Sequence, residues 1–117
     1  MLLLAAAAPM AVASGDRFDG QVTDALRTPT HRLRANADGR ASADLIFTDR
    51  DHAGTTVRTC VRRRDTGVRT CFSETTGAAG VASVTPLRFQ RGHYVVRWSV
   101  KGTVVAHWRF AVVDHGS

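Results

Sequence analysis

The sequence predicts an all-β fold, a two-sheet immunoglobulin-like β-sandwich of seven or eight short strands. Three observations lead to it. No segment after residue 13 has the period of an amphipathic helix, apolar and polar residues alternate with a period of two in several runs, and Gly, Asp and Pro bound those runs. About a hundred residues in this pattern are typical of a sandwich. A small barrel is the competing architecture.

The N-terminal segment MLLLAAAAPMAVASG predicts a secretory signal peptide over residues 1–13. An apolar run over residues 2–8 is followed by the small residues Ala11 and Ala13, the pattern of a cleavage site. No Lys or Arg precedes that run, and a buried helix is the alternative interpretation. Residues 14–117 are then one domain, secreted or associated with the cell wall. This part contains no run of roughly 18 apolar residues, so no membrane span is expected in the mature chain.

The runs YVVRWSV and TVVAHWRFAVV are the clearest strands. Their alternation turns both tryptophans toward the core, since a domain with 7% aromatic residues needs its few large rings inside. A carbohydrate-stacking platform is the alternative. A three-residue loop over residues 100–102, with Gly102 left-handed, is expected to pair Trp98 with Val104 and Tyr94 with Trp108. The residues predicted to point inward are Tyr94, Val96, Trp98, Val100, Val104, Ala106, Trp108, Phe110 and Val112.

Further strands are predicted upstream. Residues 41–49 alternate, with Ala43, Leu45 and Phe47 on one side. A shorter strand over residues 81–84 follows the turn-rich TTGAAG. Weaker candidates are residues 18–22 and 33–37.

The stretch VRTCVRRRDTGVRTC repeats VRTC and holds both cysteines of the chain. Two cysteines in an exported protein predict one disulfide. Folding the stretch about a loop over residues 64–67, with Gly67 at positive φ, places Cys60 directly opposite Cys71 on a narrow strand pair. We therefore expect a disulfide on the outer face of a hairpin. The residues expected to face the core are Val57, Thr59, Val61, Val68, Thr70 and Phe72.

Arginines surround this predicted disulfide. Arg58, Arg62 and Arg69 point outward beside it, and Arg63 and Arg64 lie at the hairpin tip. Guanidinium groups bind carboxylate and phosphate through paired hydrogen bonds. These five residues are the candidate anion-binding site, with an acidic cell-wall or extracellular polymer, or another extracellular protein, as the expected partner. Nucleic acid is not the expected partner. The alternative is a compositional bias, 15 Arg to one Lys at net charge +6, with the side chains extending into water.

The segments SETTGAAGVASVTPL and GHYVVRWSV place a Thr-rich turn and a Gly before one strand and a Gly-x-Tyr at the start of the next. In this the C-terminal third of the chain resembles bacterial immunoglobulin-like domains, including the invasin-type and fibronectin-like repeats. The resemblance implies the sandwich fold, which serves adhesion, spacing and ligand binding alike. The matching residues are Thr75, Thr76, Gly80, Ala82, Val84, Leu87, Gly92, Tyr94 and Val96.

A small exported sandwich with a YxVxW strand also resembles the periplasmic copper-binding proteins of the copper-resistance family. That family uses an N-terminal histidine and an Asp-Gly-His in the final strands. Here the mature start is Ser-Gly-Asp and the final turn is Lys-Gly-Thr, so those ligands are not carried over. A copper-binding extracytoplasmic protein is the alternative function. The histidines, which lack metal-ligand spacing, are His31, His52, His93, His107 and His115.

No catalytic motif connects the serines, histidines and aspartates. Gly-x-Ser-x-Gly, His-Glu-x-x-His and a phosphate-binding glycine loop are all absent from the sequence. Asp49, Asp51 and His52 cluster in TDRDHAGT, which suggests a calcium loop, but a solvated strand connection is preferred. We expect a non-catalytic binding or structural module, not an enzyme, without metal or cofactor.

Overall fold

The computed structural model describes residues 17–114, and the regular elements in that range are all strands. They form a three-stranded sheet in the order β1-β3-β6 and a five-stranded sheet in the order β2-β8-β7-β4-β5. Neighbours are antiparallel except β2 and β8, which are parallel. The predicted signal peptide lies outside the described residues. The strands are β1 (Phe18–Thr23), β2 (Arg32–Arg34), β3 (Arg40–Asp49), β4 (Thr56–Arg63), β5 (Arg69–Thr75), β6 (Val81–Gln90), β7 (Gly92–Val100) and β8 (Thr103–Val113).

The strand order is immunoglobulin-like, which confirms the predicted fold class. β1, β3 and β6 take the places of strands A, B and E of that topology, and β4, β7 and β8 take those of C, F and G. Tyr94, near the start of β7, donates its hydroxyl hydrogen to the carbonyl oxygen of Gln90 at 2.7 Å. This is the tyrosine corner that such domains carry at the start of strand F.

The core lies between the two sheets and follows the period-two pattern. On β3, Ala43, Leu45 and Phe47 are buried as predicted, each no more than 2% exposed. At one end of the core, the rings of Phe89, Tyr94 and Phe110 pack with centroids 5.1 to 5.2 Å apart. The largest fully buried side chains are Trp98, Phe47, Leu45, Val22, Val57 and Val96.

The strand predicted over residues 81–84 is longer than expected. β6 continues through Pro86 to Gln90, and the register with β3 shifts between Ala43 and Leu45 as the two strands pass the proline. A proline supplies no N–H to a ladder, so it is tolerated at a bulge on an edge strand, and β6 is an edge. The weaker candidate over residues 33–37 is also corrected, because β2 covers only Arg32–Arg34.

The turn of the final hairpin differs from the predicted one. β7 and β8 are joined by two residues, Lys101 and Gly102, with φ of 51° and 81°. Positive φ at both positions is the type I′ geometry, whose twist matches that of paired strands. The predicted three-residue loop is therefore wrong.

The pairing of β7 with β8 is shifted by two residues from the prediction. Trp98 is opposite Ala106 rather than Val104, and Tyr94 is opposite Phe110 rather than Trp108. A bulge at Trp98/Ser99 shifts the register by one residue, which the longer loop was expected to do. Both tryptophans therefore still pack toward the core. Val104, predicted to be buried, is 51% exposed.

The inner side of β5 is less buried than predicted. β5 is the edge of the five-stranded sheet, and the opposing sheet has only three strands, so its edge strand β6 covers β5 poorly. The result is an open groove of about 530 Å³ between the two edges, which Leu87 and Phe89 also line. On β4 the prediction is right, since Val57, Thr59 and Val61 are buried. On the other arm of the hairpin it is wrong, since Val68, just before β5, and Thr70, on β5, are exposed and Phe72 is half-buried.

Within residues 17–114, no helix is long and apolar enough to cross a membrane.

Candidate functional site: an arginine-rich sheet face

The hairpin of β4 and β5 has the predicted register. Cys60 is opposite Cys71 with a Cα–Cα distance of 4.1 Å, and a disulfide joins them. The loop closes as expected, with Gly67 at φ 77° donating its N–H to the carbonyl oxygen of Arg63 at 2.8 Å. The cysteines lie on the solvent side of the sheet, because the alternate residues Val57, Thr59 and Val61 are buried.

Seven arginines of the five-stranded sheet lie on that solvent side, two of them on β2 at its edge. We call the five on β4, β5, β7 and β8 the arginine face. The register carries the face across four strands. Arg62 lies between Arg69 and Val95, and Val95 is in turn opposite Arg109. In the next row, Cys60 lies between Cys71 and Arg97. The members are Arg58, Arg62, Arg69, Arg97 and Arg109.

Val95 points toward solvent on this face and is nevertheless only 3% exposed. Its register neighbours are Arg62 and Arg109, whose long aliphatic stems flank it on both sides. The arginines therefore cover apolar surface with their stems while their guanidinium groups stay at the surface.

The charge of the domain is divided unequally between the sheets. The strands of the five-stranded sheet contain eight arginines and one acidic residue, Glu74, a formal charge of +7. Glu74 lies opposite the buried Val57 and so belongs to the other side of that sheet. The three-stranded sheet contains two arginines and three aspartates, a formal charge of −1. The positive charge is thus concentrated on one surface.

The members of the arginine face have no carboxylate partner among the described residues. The ion pairs within 4.0 Å in residues 17–114 instead involve Arg17, Arg63, Arg88 and Arg91. The guanidinium groups of the face therefore remain available to an external anion.

The structure separates two of the five predicted anion-binding residues from the others. Arg63 lies on the opposite side of the sheet from Arg62, donating to Asp65 at 2.8 Å and to the carbonyl oxygen of Arg91 at 2.7 Å. The hydrogen bond from Arg63 holds the pKa of Asp65 below its usual range. Arg64 is exposed at the tip, and lines a small cleft with His93.

Two members of the face, Arg97 and Arg109, were not among the predicted site residues. The signal for them was in the sequence, because the alternation that turns Trp98 and Trp108 inward turns their neighbours outward. What the sequence did not supply was the pairing of β4 with β7, which places Arg97 beside Cys60.

The cluster considered as a calcium loop is a structural network. The carboxylate of Asp49 is buried, accepts two hydrogen bonds from Arg17 at 3.0 and 3.1 Å, and accepts one from Thr55 at 2.6 Å. The backbone N–H groups of Asp51 and His52 also donate to it. The hydrogen bonds from Arg17 are the main reason that the pKa of Asp49 lies far below its usual range. Its oxygens hold the β3–β4 connection together.

Metal-binding geometry is not found in the described part of the chain. Residues 17–114 contain no group of three or more His, Cys, Asp and Glu side chains that could hold an ion. His31 is instead stacked on Trp108, with ring centroids 4.0 Å apart, and its Nδ1 donates to the carbonyl oxygen of Arg109 at 2.6 Å. These contacts of His31 hold the segment before β2 against β8.

Comparison with known proteins gives structural likenesses only. No family model matches the sequence, and no curated protein matches it. An alkylpurine DNA glycosylase of Pseudomonas fluorescens is 14% identical, with a TM-score of 0.44, over 82% of this chain and 30% of that one. This chain therefore spans less than a third of that enzyme.

Two smaller solved structures are matched over most of their length. A CARDB domain of Pyrococcus furiosus, in complex with di-metal ions, is 13% identical over 84% of this chain and 90% of that one, with a TM-score of 0.47. An immunoglobulin-like protein of Pseudomonas aeruginosa is 11% identical over 82% of this chain and 91% of that one, with a TM-score of 0.43. The strand order and register define the fold independently of these likenesses.

Proposed function

We propose that this protein is a non-catalytic binding module that contacts an acidic cell-wall or extracellular polymer through the arginine face. The observation that carries the proposal is the division of charge, +7 on the five-stranded sheet against −1 on the other. A compositional bias toward arginine would not by itself leave seven strand arginines and no strand acidic residue on the solvent side of one sheet.

The arrangement of the face has a cost in stability. Arg62 is directly opposite Arg69, and like charges across a strand pair destabilise a sheet by a few tenths of a kcal/mol. Hydrogen bonds to an external anion would offset that repulsion, because charge-assisted hydrogen bonds are stronger than neutral ones.

The shape of the face suits an extended polymer. The row from Arg69 through Arg62 and Val95 to Arg109 crosses four strands, a span of about 14 Å at the usual strand spacing. Several anionic groups along one chain would contact such a row together, and the entropy of association would be lost only once.

The proposed partner requires that the protein is exported. A disulfide persists in oxidising compartments outside the cytoplasm, and the predicted signal peptide is consistent with that location. Recovery of the mature protein from the culture medium or the cell-wall fraction is the expected result, and retention in the cytoplasm with reduced cysteines would contradict it.

The polymer proposal is tested by comparing three proteins on polygalacturonate and polyphosphate at low and moderate salt. The first is the parent, the second is Arg58→Ala/Arg62→Ala/Arg69→Ala, and the third removes the same charge elsewhere, Arg27→Ala/Arg40→Ala/Lys101→Ala, at exposed positions outside the face.

We expect the parent to bind at least one polymer and to weaken as salt rises, because counterions compete for the same charges. The variant of the face should lose at least tenfold more affinity than the control. Equal binding of the parent and the face variant to both polymers would contradict the proposal. Tighter binding of the parent to double-stranded DNA than to either polymer would contradict the choice of partner.

A further inference from the structure

Three members of the arginine face, Arg62, Arg69 and Arg97, surround a depression beside the disulfide. Its volume is about 320 Å³, and Cys60, Ser99 and Val104 complete its lining. This is near the lower end of the range for ligand pockets, so it suits one small group rather than a whole sugar residue. We propose that it is a subsite for the tetrahedral oxyanion of a phosphate or sulfate ester, a proposal that rests on the function proposed above.

The disulfide holds one of the three arginines in place. The Nε of Arg69 donates to the Sγ of Cys71 at 3.3 Å, and its Nη2 donates to the Sγ of Cys60 at 3.8 Å. Sulfur is a weak acceptor and the disulfide is uncharged, so these contacts orient the guanidinium without neutralising it. Because a guanidinium has five N–H donors, three remain for a ligand.

Pre-organisation of Arg69 favours binding. A free arginine side chain loses considerable rotamer freedom when a ligand fixes it, and a side chain that is already oriented loses less. The disulfide thus has a second role beyond closing the hairpin, since it is part of the subsite. Arg69 is a positioned ligand-binding residue rather than a splayed surface charge.

The other two arginines approach from neighbouring strands. Arg62 is directly opposite Arg69, and Arg97 is opposite Cys60 on the other side of β4. The described residues place no carboxylate within 4.0 Å of any of the three. The depression therefore contains three positive charges without an internal counterion, which is unfavourable for the free protein and favourable for an anion.

Three guanidinium groups favour a ligand with three oxygens over a ligand with two. A planar carboxylate has two oxygens, and one bidentate arginine satisfies them. A phosphate monoester or a sulfate ester has three terminal oxygens in a tetrahedral array, which three guanidinium groups from different directions can address. The subsite should therefore prefer phosphorylated or sulfated polymer over a carboxylated one of the same charge density.

The test replaces arginine by lysine, which keeps the charge and removes the planar fork. The site variant is Arg62→Lys/Arg69→Lys/Arg97→Lys. The control is Arg27→Lys/Arg40→Lys/Arg88→Lys, at exposed positions outside the five-stranded sheet. Each protein is titrated with phosphorylated dextran, whose phosphates are monoesters, and with heparin and polygalacturonate at one ionic strength. Thermal unfolding checks that each protein is folded.

We expect the site variant to lose at least tenfold in affinity for phosphorylated dextran or heparin and less than threefold for polygalacturonate, with the control unchanged. The titrations with the phosphorylated and the sulfated polymer show which ester the subsite prefers. Equal affinity of parent and site variant for all three polymers would overturn the subsite while leaving binding by the face intact. If the parent binds none of them, the proposed function fails as well.

Discussion

The indole ring of Trp98 lies directly against the backbone of Gly20, across the interface between the two sheets. A Cβ atom on Gly20 would stand 2.3 Å from Cε3 of the ring, well inside van der Waals contact. Trp98 is the largest fully buried side chain of the domain. The close approach of the sheets at this point therefore requires a glycine on β1.

Gly20→Ala should destabilise the domain by about 3 kcal/mol, because Trp98 or β1 must move to admit the new methyl group. Denaturant unfolding followed by tryptophan fluorescence measures the change. Gly77→Ala is the matched control, since its added Cβ would meet only a carbonyl oxygen at 3.9 Å. Similar stability losses in the two variants would contradict the close contact between Trp98 and the backbone of Gly20.

Lys101→Asn should stabilise the domain by about 0.5 kcal/mol, because asparagine tolerates positive φ and Asn-Gly is the preferred type I′ pair. Lys101 now occupies this conformation, with φ at 51°. Lys101→Val should do the reverse, since a β-branched residue is strained there. Chemical denaturation of both variants is the measurement, and a stabilising valine would show that the turn has another geometry.

The domain should lose stability in acid, because protonation of Asp49 removes its interaction with Arg17. Its pKa in the folded protein is lower than the roughly 3.9 of an unfolded aspartate, chiefly because Arg17 donates to it. The ionised carboxylate thus favours the folded state above about pH 4, and this contribution disappears as the pH falls toward the folded pKa. Asp49→Asn should cost about 3 kcal/mol at neutral pH.

The pH dependence distinguishes this effect from a general loss of packing. The difference in unfolding free energy between the parent and Asp49→Asn should narrow as the pH falls from about 5 to about 2. Asp44→Asn, at a half-buried position on the solvent side of β3, is the control. A difference that stays constant over this range would contradict the linkage.

Replacing both cysteines, Cys60→Ser/Cys71→Ser, should destabilise the domain by about 3 kcal/mol in the chain-entropy model, given a sequence separation of 11. Urea unfolding of this variant and the parent gives the value. Reduction of the parent with a thiol should produce the same loss, and an unchanged midpoint after verified reduction would contradict the prediction.

The fold was predictable where a strand has one buried face and one solvated face. Residues 41–49 have the predicted faces, and the VRTC hairpin has the predicted register. The final turn was not predictable from alternation, because a bulge at Trp98/Ser99 and a shorter loop give the same phase as a longer loop without a bulge. The predicted strand over residues 81–84 is shorter than β6, because a proline such as Pro86 usually marks the end of a strand.

The candidate site was predictable within one hairpin and no further. Pairing of β4 with β5 follows from the repeated VRTC, so Arg58, Arg62 and Arg69 could be placed together. Pairing of β4 with β7 connects distant segments, and no local pattern specifies it. The uncovered inner side of β5 was missed for a related reason, since it depends on how many strands the opposing sheet contains.

The ion pair between Arg17 and Asp49 makes the stability of the domain depend on a residue close to the predicted cleavage site. Cleavage after Ala13 would leave three residues, 14–16, ahead of Arg17. Proteolytic trimming through residue 16 keeps the guanidinium that Asp49 needs, while loss of one residue more leaves a buried carboxylate without its cation. If the predicted cleavage occurs, three residues separate the new N-terminus from this ion pair, and chains that lose Arg17 as well should be degraded first.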